Sequence, residues 1–229
     1  MKLISGGCSF SADKFCWPVK LAEQKNFEHI QTGVGSCGND LISRKVLDQL
    51  LRIDDYSDVV VGVMWSGHVR KGHIANGPDA LKRHKGTQSE TSPHHWMNES
   101  WIISNPGFFD KYAHEWYKWY FNSTQSLMET FEHVLRLQWY LQQNNIKYFF
   151  TTYTSNAFSQ DDVNLSYTDP LKKLIDWDKF LPITGCSDWC RKYYPLDFPD
   201  INDEHPGTLQ HKQFAAEVIS PWLKKTYDI

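Results

Sequence analysis

Apolar residues follow two alternating rhythms along the first seventy positions. Lys2-Leu3-Ile4 is a short apolar run that reads as a first β-strand. Trp17, Leu21 and Ala22 share one helical face, and Pro18 is tolerated in a first turn, so a helix is expected from Trp17 to about Lys25-Asn26. Phe27-Glu28-His29-Ile30 reads as a second strand and runs into the glycine-rich turn Thr32–Asp40. Leu41, Ile42, Val46, Leu47, Leu50 and Leu51 then recur at helical spacing between Leu41 and Ile53. Asp58–Met64 is an almost uninterrupted apolar run, the pattern of a strand buried on both faces. Strand, helix, strand, helix, strand with short links predicts a parallel sheet with right-handed crossovers.

After Met64 the rhythm stops. From Trp65 to about Pro106 the chain is polar, rich in His, Gly, Ser and Pro, and without a clean period. A segment of that length predicts an insertion or lid after the third strand. Helical spacing returns over about Phe108–Asn144, with a break expected near Asn122-Ser123, and Ile146–Thr152 reads as a fourth strand. Residues 154–200 are mixed, with a weak edge strand expected near Phe180-Leu181, and Gly207 to about Tyr227 predicts a closing helix. No repeat or linker interrupts the chain, so one domain over 1–229 with an insertion at about 65–106 is expected.

Composition removes several function classes. A net charge of −3 and a pI near 6.3 leave no basic face for nucleic acid. No apolar run approaches the ~20 residues of a membrane span, and no apolar leader core is present. Five cysteines, an odd number, do not suit a closed disulfide framework and point to a reducing cytoplasm. Ten Trp and eleven Tyr are mostly core, with a minority available to line a sugar-like site. No cofactor is expected. Gly33-Val34-Gly35-Ser36-Cys37-Gly38 has dinucleotide-type glycine spacing but follows the second strand, with only Asp54-Asp55 near the required acid position. No metal is expected either: Cys186, Asp188 and Cys190 form at most half a site, and His84, His94 and His95 are read as loop histidines.

The candidate chemistry starts at Gly6-Gly7-Cys8-Ser9, where a glycine pair lets the first strand turn sharply and present a hydroxyl at its carboxyl end. A serine needs an imidazole to take its proton, and the imidazole needs an acceptor to orient it. Asp200-Ile201-Asn202-Asp203-Glu204-His205-Pro206, just before the closing helix, offers both. His205 is the base and Asp203 the acid, with Asn202 and Asp200 in reserve. Cys8 is a rival nucleophile, although thiols in such turns commonly only pack. Trp65, Ser66 and Arg70 follow the third strand and border a substrate; Arg70 is read either as a holder of a carboxylate or sulfate or as a surface ion-pair partner.

Gly7-Cys8-Ser9-Phe10-Ser11 after strand one, Gly38-Asn39-Asp40 after strand two, and Asp203-Glu204-His205-Pro206 before the last helix together resemble the SGNH (GDSL-like) hydrolase superfamily. The likeness covers about residues 1–70 and 200–222. It implies a three-layer α/β/α sandwich around a central parallel sheet, flavodoxin-like, with Ser9 as nucleophile and the Ser9 N–H, Gly38 and Asn39 as oxyanion donors. Three departures stand out. Cys8 replaces the usual Asp, the Gly-Asn pair follows the second strand rather than the third, and Asn202 rather than Asp lies three before His205. Asn39 is therefore read equally as a helix cap, and Ser66 as another possible donor. The implied activity is serine-dependent ester hydrolysis, removing short acyl groups such as acetyl from a carbohydrate or related small molecule. An O-acyltransferase with the same triad, or an inactive binding module, remains open.

Overall fold

The computed structural model describes residues 1–74, 101–104, 111–159, 163–183, 185–195 and 205–229. Three strands come first: β1 (Lys2–Gly7), β2 (Glu28–Gln31) and β3 (Val59–Trp65). They are separated by the single-turn helix α1 (Ser9–Ala12), by α2 (Trp17–Lys25) and by α3 (Asn39–Leu50). A short antiparallel pair, β4 (Lys71–Ile74) with β5 (Trp101–Ser104), follows. The last strand, β6 (Lys147–Thr152), lies at one side of a parallel sheet ordered β2-β1-β3-β6.

The layers follow from side-chain direction. Successive residues of a strand point to opposite faces. In β1, Gly6 faces Val46 and Ile42 of α3; in β3, Gly62 faces Trp17 of α2. Gly6 is in register with Val63, so Gly62 belongs to the other face. Helices α2 and α3 therefore cover opposite sides, as a three-layer sandwich requires. The helix Ser123–Gln143 packs beside α3, and the closing helix packs beside α2. Every residue of β3 is buried, which explains its unbroken apolar run. Each such fully buried Val contributes about 1.5–3 kcal/mol.

The expected break near Asn122-Ser123 separates Lys111–Trp119 from Ser123–Gln143. Asn122 caps the second helix, its side-chain oxygen accepting from Gln125 N at 2.9 Å. The weak edge strand shrinks to one parallel bridge, Phe150 to Phe180, with Leu181 N donating to Phe150 O at 2.8 Å. Two findings depart from the expected loops. The described ends of the insertion pair as β4 and β5, four residues each, too short to show alternation. The mixed segment holds helices Leu165–Lys172 and Cys186–Tyr193. The closing helix runs over Thr208–Phe214 and Ser220–Tyr227, joined through a π-helical turn at Ala215–Ile219. No helix among the described residues is long and apolar enough to cross a membrane.

Candidate active site

The site begins where β1 ends. Gly7 has φ +152°, and its carbonyl accepts from Val34 N at 2.9 Å and from Cys37 Sγ at 3.5 Å. Those bonds hold the glycine-rich turn after β2 against the end of β1. Cys8 follows in extended geometry and Ser9 opens α1. First-turn amides of a helix lack intrahelical acceptors, and the Ser9 N–H is one of them. Ser11, the other hydroxyl of the block, is fully buried and accepts from Trp17 Nε1 at 3.0 Å.

Ser9 and His205 meet. Ser9 Oγ lies 2.7 Å from His205 Nε2 across 196 positions of sequence. The imidazole is stacked on Phe10, with ring centroids 4.6 Å apart and planes at 28°. Phe10 itself is buried and meets Tyr153 edge-on at 5.3 Å. Sequence reading missed both aromatics. Phe10 adjoins the nucleophile and was available to it, whereas Tyr153 reaches the site only because β6 is the neighbour of β3. The expected acid Asp203, with its reserves Asn202 and Asp200, lies outside the described residues, as do His84, His94 and His95. Cys8, the rival nucleophile, is fully buried, whereas Ser9 is partly exposed.

Gly38 sits at the N-terminus of α3 under the corner that follows β3; a Cβ there would lie 2.4 Å from Arg70 O, so only glycine permits that approach. Asn39 is engaged differently from the expected oxyanion donor. Its Nδ2 donates to Ser66 O at 2.9 Å and to Thr130 Oγ1 at 3.2 Å, while its Oδ1 accepts from Ser66 N at 2.8 Å. Both amide hydrogens point into protein. The side chain ties the N-terminus of α3 to the end of β3 and to the helix Ser123–Gln143. It does not cap α3 either, since Gly38 holds that position with no side-chain bond. Asn39→Ala leaves three polar groups of a buried site without partners, so a loss of about 2–4 kcal/mol in unfolding free energy is expected from urea titration.

The three expected substrate-lining residues separate. Trp65 is fully buried and packs edge-on against Phe150 at 5.4 Å, so it belongs to the core. Ser66 is also buried, and its Oγ accepts from Arg70 Nη1 at 3.1 Å. Arg70 is half-buried, with its guanidinium carbon 5.1 Å from the Tyr153 ring centroid. Among the described residues no group of three or more His, Cys, Asp or Glu is arranged to hold a metal ion. Cys186 and Cys190 are both fully buried, and burial pushes the Cys186 thiol pKa well up.

His211, six residues beyond His205 and inside the closing helix, is 3 % exposed. Burial first, and the neighbouring His205 second, lower its pKa from 6.5 to about 3. His133, beside Arg136 and Lys71, is lowered to about 3 chiefly by burial. Both are neutral in the fold, while the unfolded chain takes up protons below pH 6.5. Their contribution to stability is therefore complete above that pH and declines as pH falls towards 3. Each removes up to about 1.4 kcal/mol per pH unit in that window. Urea midpoints measured between pH 7 and 4 are expected to fall, and His211→Gln to flatten part of the slope.

Residues 5–182 match the model of DUF6071, described as a family of unknown function. No curated protein matches the sequence. Two solved structures resemble the chain in shape. One is TesA, at 9% identity over 98% of this chain and 99% of that one, with a TM-score of 0.52. The other is the acetyl xylan esterase AlAXEase, at 13% identity over 94% of this chain and 96% of that one, with a TM-score of 0.50. At these identities the likeness concerns the fold, and the fold is of the SGNH hydrolase type. With 178 of its 229 residues (5 through 182) matched, the chain belongs to the DUF6071 family.

Proposed function

We propose that the protein is a serine-dependent ester hydrolase. The observation that carries this reading is the 2.7 Å approach of Ser9 Oγ to His205 Nε2 at the carboxyl end of β1, where open α/β sheets place their chemistry. Ser9 O–H gives its proton to Nε2 as Oγ attacks the ester carbonyl, forming a tetrahedral intermediate. Collapse expels the alkoxide, which takes the proton back from His205 and leaves an acyl-Ser9. Water, deprotonated by the same imidazole, attacks the acyl carbon and releases the acid. Asp203 is assigned to orient His205. The oxyanion is assigned to the N–H groups of Ser9 and Gly38, each worth about 10²–10³ in kcat. With its amide engaged, Asn39 serves this hole by holding α3 and the β3 corner in place.

Ser66 and Arg70 are assigned to the substrate side. Acetyl or another short acyl group on a carbohydrate is the assigned substrate class. It rests on the aromatic content and on an acetyl xylan esterase sharing the fold. The Ser9–His205 contact weighs against an inactive binding module, which has no use for a hydroxyl bonded to an imidazole. A chromogenic acetate ester, 4-nitrophenyl acetate, tests the mechanism. A burst of one nitrophenolate per protein, followed by slower turnover, is expected of an acyl-enzyme. Added sugar acceptors should leave the acetate yield unchanged; acetyl sugar accumulating in its place would make the protein a transferase.

A further inference from the structure

Arg70 stands in the corner after β3, its N–H donating to Gly67 O at 3.2 Å. The next residue, Lys71, has an acidic partner in Glu129; Arg70 has none among the described residues. Its guanidinium is held by two neutral groups instead, the Ser66 hydroxyl at 3.1 Å and the face of Tyr153 at 5.1 Å. Five N–H donors form a fork that suits carboxylates, and one bond to Ser66 leaves most of them available. Tyr153 is what links this cation to the dyad, because its ring touches Phe10, and Phe10 carries the imidazole of His205. Two aromatic rings therefore separate Arg70 from the general base. The Tyr153 hydroxyl is an additional polar group with no hydrogen bond among the described residues. Gly67 lies beside it, so close that a Cβ there would sit 3.2 Å from Oη.

We propose that Arg70 and Tyr153 form an anion subsite beside the Ser9–His205 pair, and that the ester acted on carries a carboxylate or an equivalent anionic group. This rests on the hydrolase reading and names the substrate class for the same site. A half-buried cation with no acid beside it gains from a counter-charge that arrives with a ligand. The Ser66 hydroxyl and the Tyr153 ring hold the guanidinium in place before binding, which limits the ordering cost when the anion docks. The acyl chemistry at Ser9 is unchanged; the subsite selects which esters reach it.

The test compares 3- and 4-acetoxybenzoate with their methyl esters, which share the acetyl group but lack the charge. Methylation makes the phenolate a better leaving group, so intrinsic reactivity favours the neutral partner. The wild-type ratio of kcat/KM, anionic over neutral, is expected to exceed one. It should fall about 10- to 100-fold in Arg70→Ala and less in Arg70→Lys and Tyr153→Phe. Circular dichroism and a urea midpoint confirm that each variant folds. A ratio below one in the wild type, or one that Arg70→Ala leaves unmoved, overturns the subsite even if the protein is an esterase. A second arm does not need turnover: 4-hydroxybenzoate binding followed by ligand-observed NMR. Binding lost in Arg70→Ala supports the subsite even if no ester is hydrolysed, an outcome that would sink the hydrolase reading alone. Equal binding, or none, to both proteins contradicts it.

Discussion

Ser9→Ala is expected to lower acetyl-ester turnover by a factor on the order of 10⁴–10⁶ while the protein stays folded. The size follows from the role: without Oγ no acyl-enzyme forms, and what remains is water attack helped only by binding and the oxyanion donors. Stability should hardly change. Among the described residues the one side-chain hydrogen bond of Ser9 is the exposed one to His205, and an exposed bond of that kind is worth about 1 kcal/mol or less. Phe10 keeps its stack beneath the imidazole in the variant, so His205 stays in place. A Ser9→Ala protein that still turns over acetyl esters within tenfold of wild type places the nucleophile elsewhere. Cys8 would not be its successor without a rearrangement, being fully buried.

The largest stability effect is expected at the neighbouring turn. Gly7→Ala should cost about 3–5 kcal/mol, a large part of the roughly 5–15 kcal/mol that holds an ordinary domain folded. Two causes add. The backbone at φ +152° lies in a region that residues with a Cβ rarely enter. The new methyl would also lie 2.4 Å from Ser11 Oγ and 2.9 Å from Met64 O. Ser11 cannot step aside freely, since its hydroxyl accepts from the buried Trp17 indole; Met64 O belongs to the central strand β3. Whatever folds should also be poorly active, because the turn aims Ser9. A urea midpoint corresponding to a loss below 1 kcal/mol would contradict this account of the turn.

The parallel core was legible because its signals are local and strong. Val59–Val61 with Val63 and Met64 could only be a buried strand, and the helical faces of α2 and α3 repeat cleanly. The two ends of the dyad were legible for another reason: residue types and their order along the chain resembled a known pattern. What could not be read was pairing across distance. Asn39 has the composition of an oxyanion donor, and only the position of Ser66 and Thr130 shows that its amide is already bonded. Trp65 follows a strand end, where substrate contacts are common, yet Phe150 on the neighbouring strand closes over it. Tyr153 and Arg70 meet through sheet order, which no linear period encodes. The β4–β5 pair and the helix Cys186–Tyr193 are short enough that neighbouring structure, rather than propensity, decides them.

The central claim is that the hydroxyl of Ser9 is a nucleophile armed by His205. A fluorophosphonate probe, applied to folded protein and followed by peptide mass mapping, tests it most directly. One covalent adduct on Ser9 is predicted, lost in Ser9→Ala, in His205→Ala and after denaturation. Folded wild-type protein that stays unlabelled, or an adduct mapped to any other residue, would contradict it.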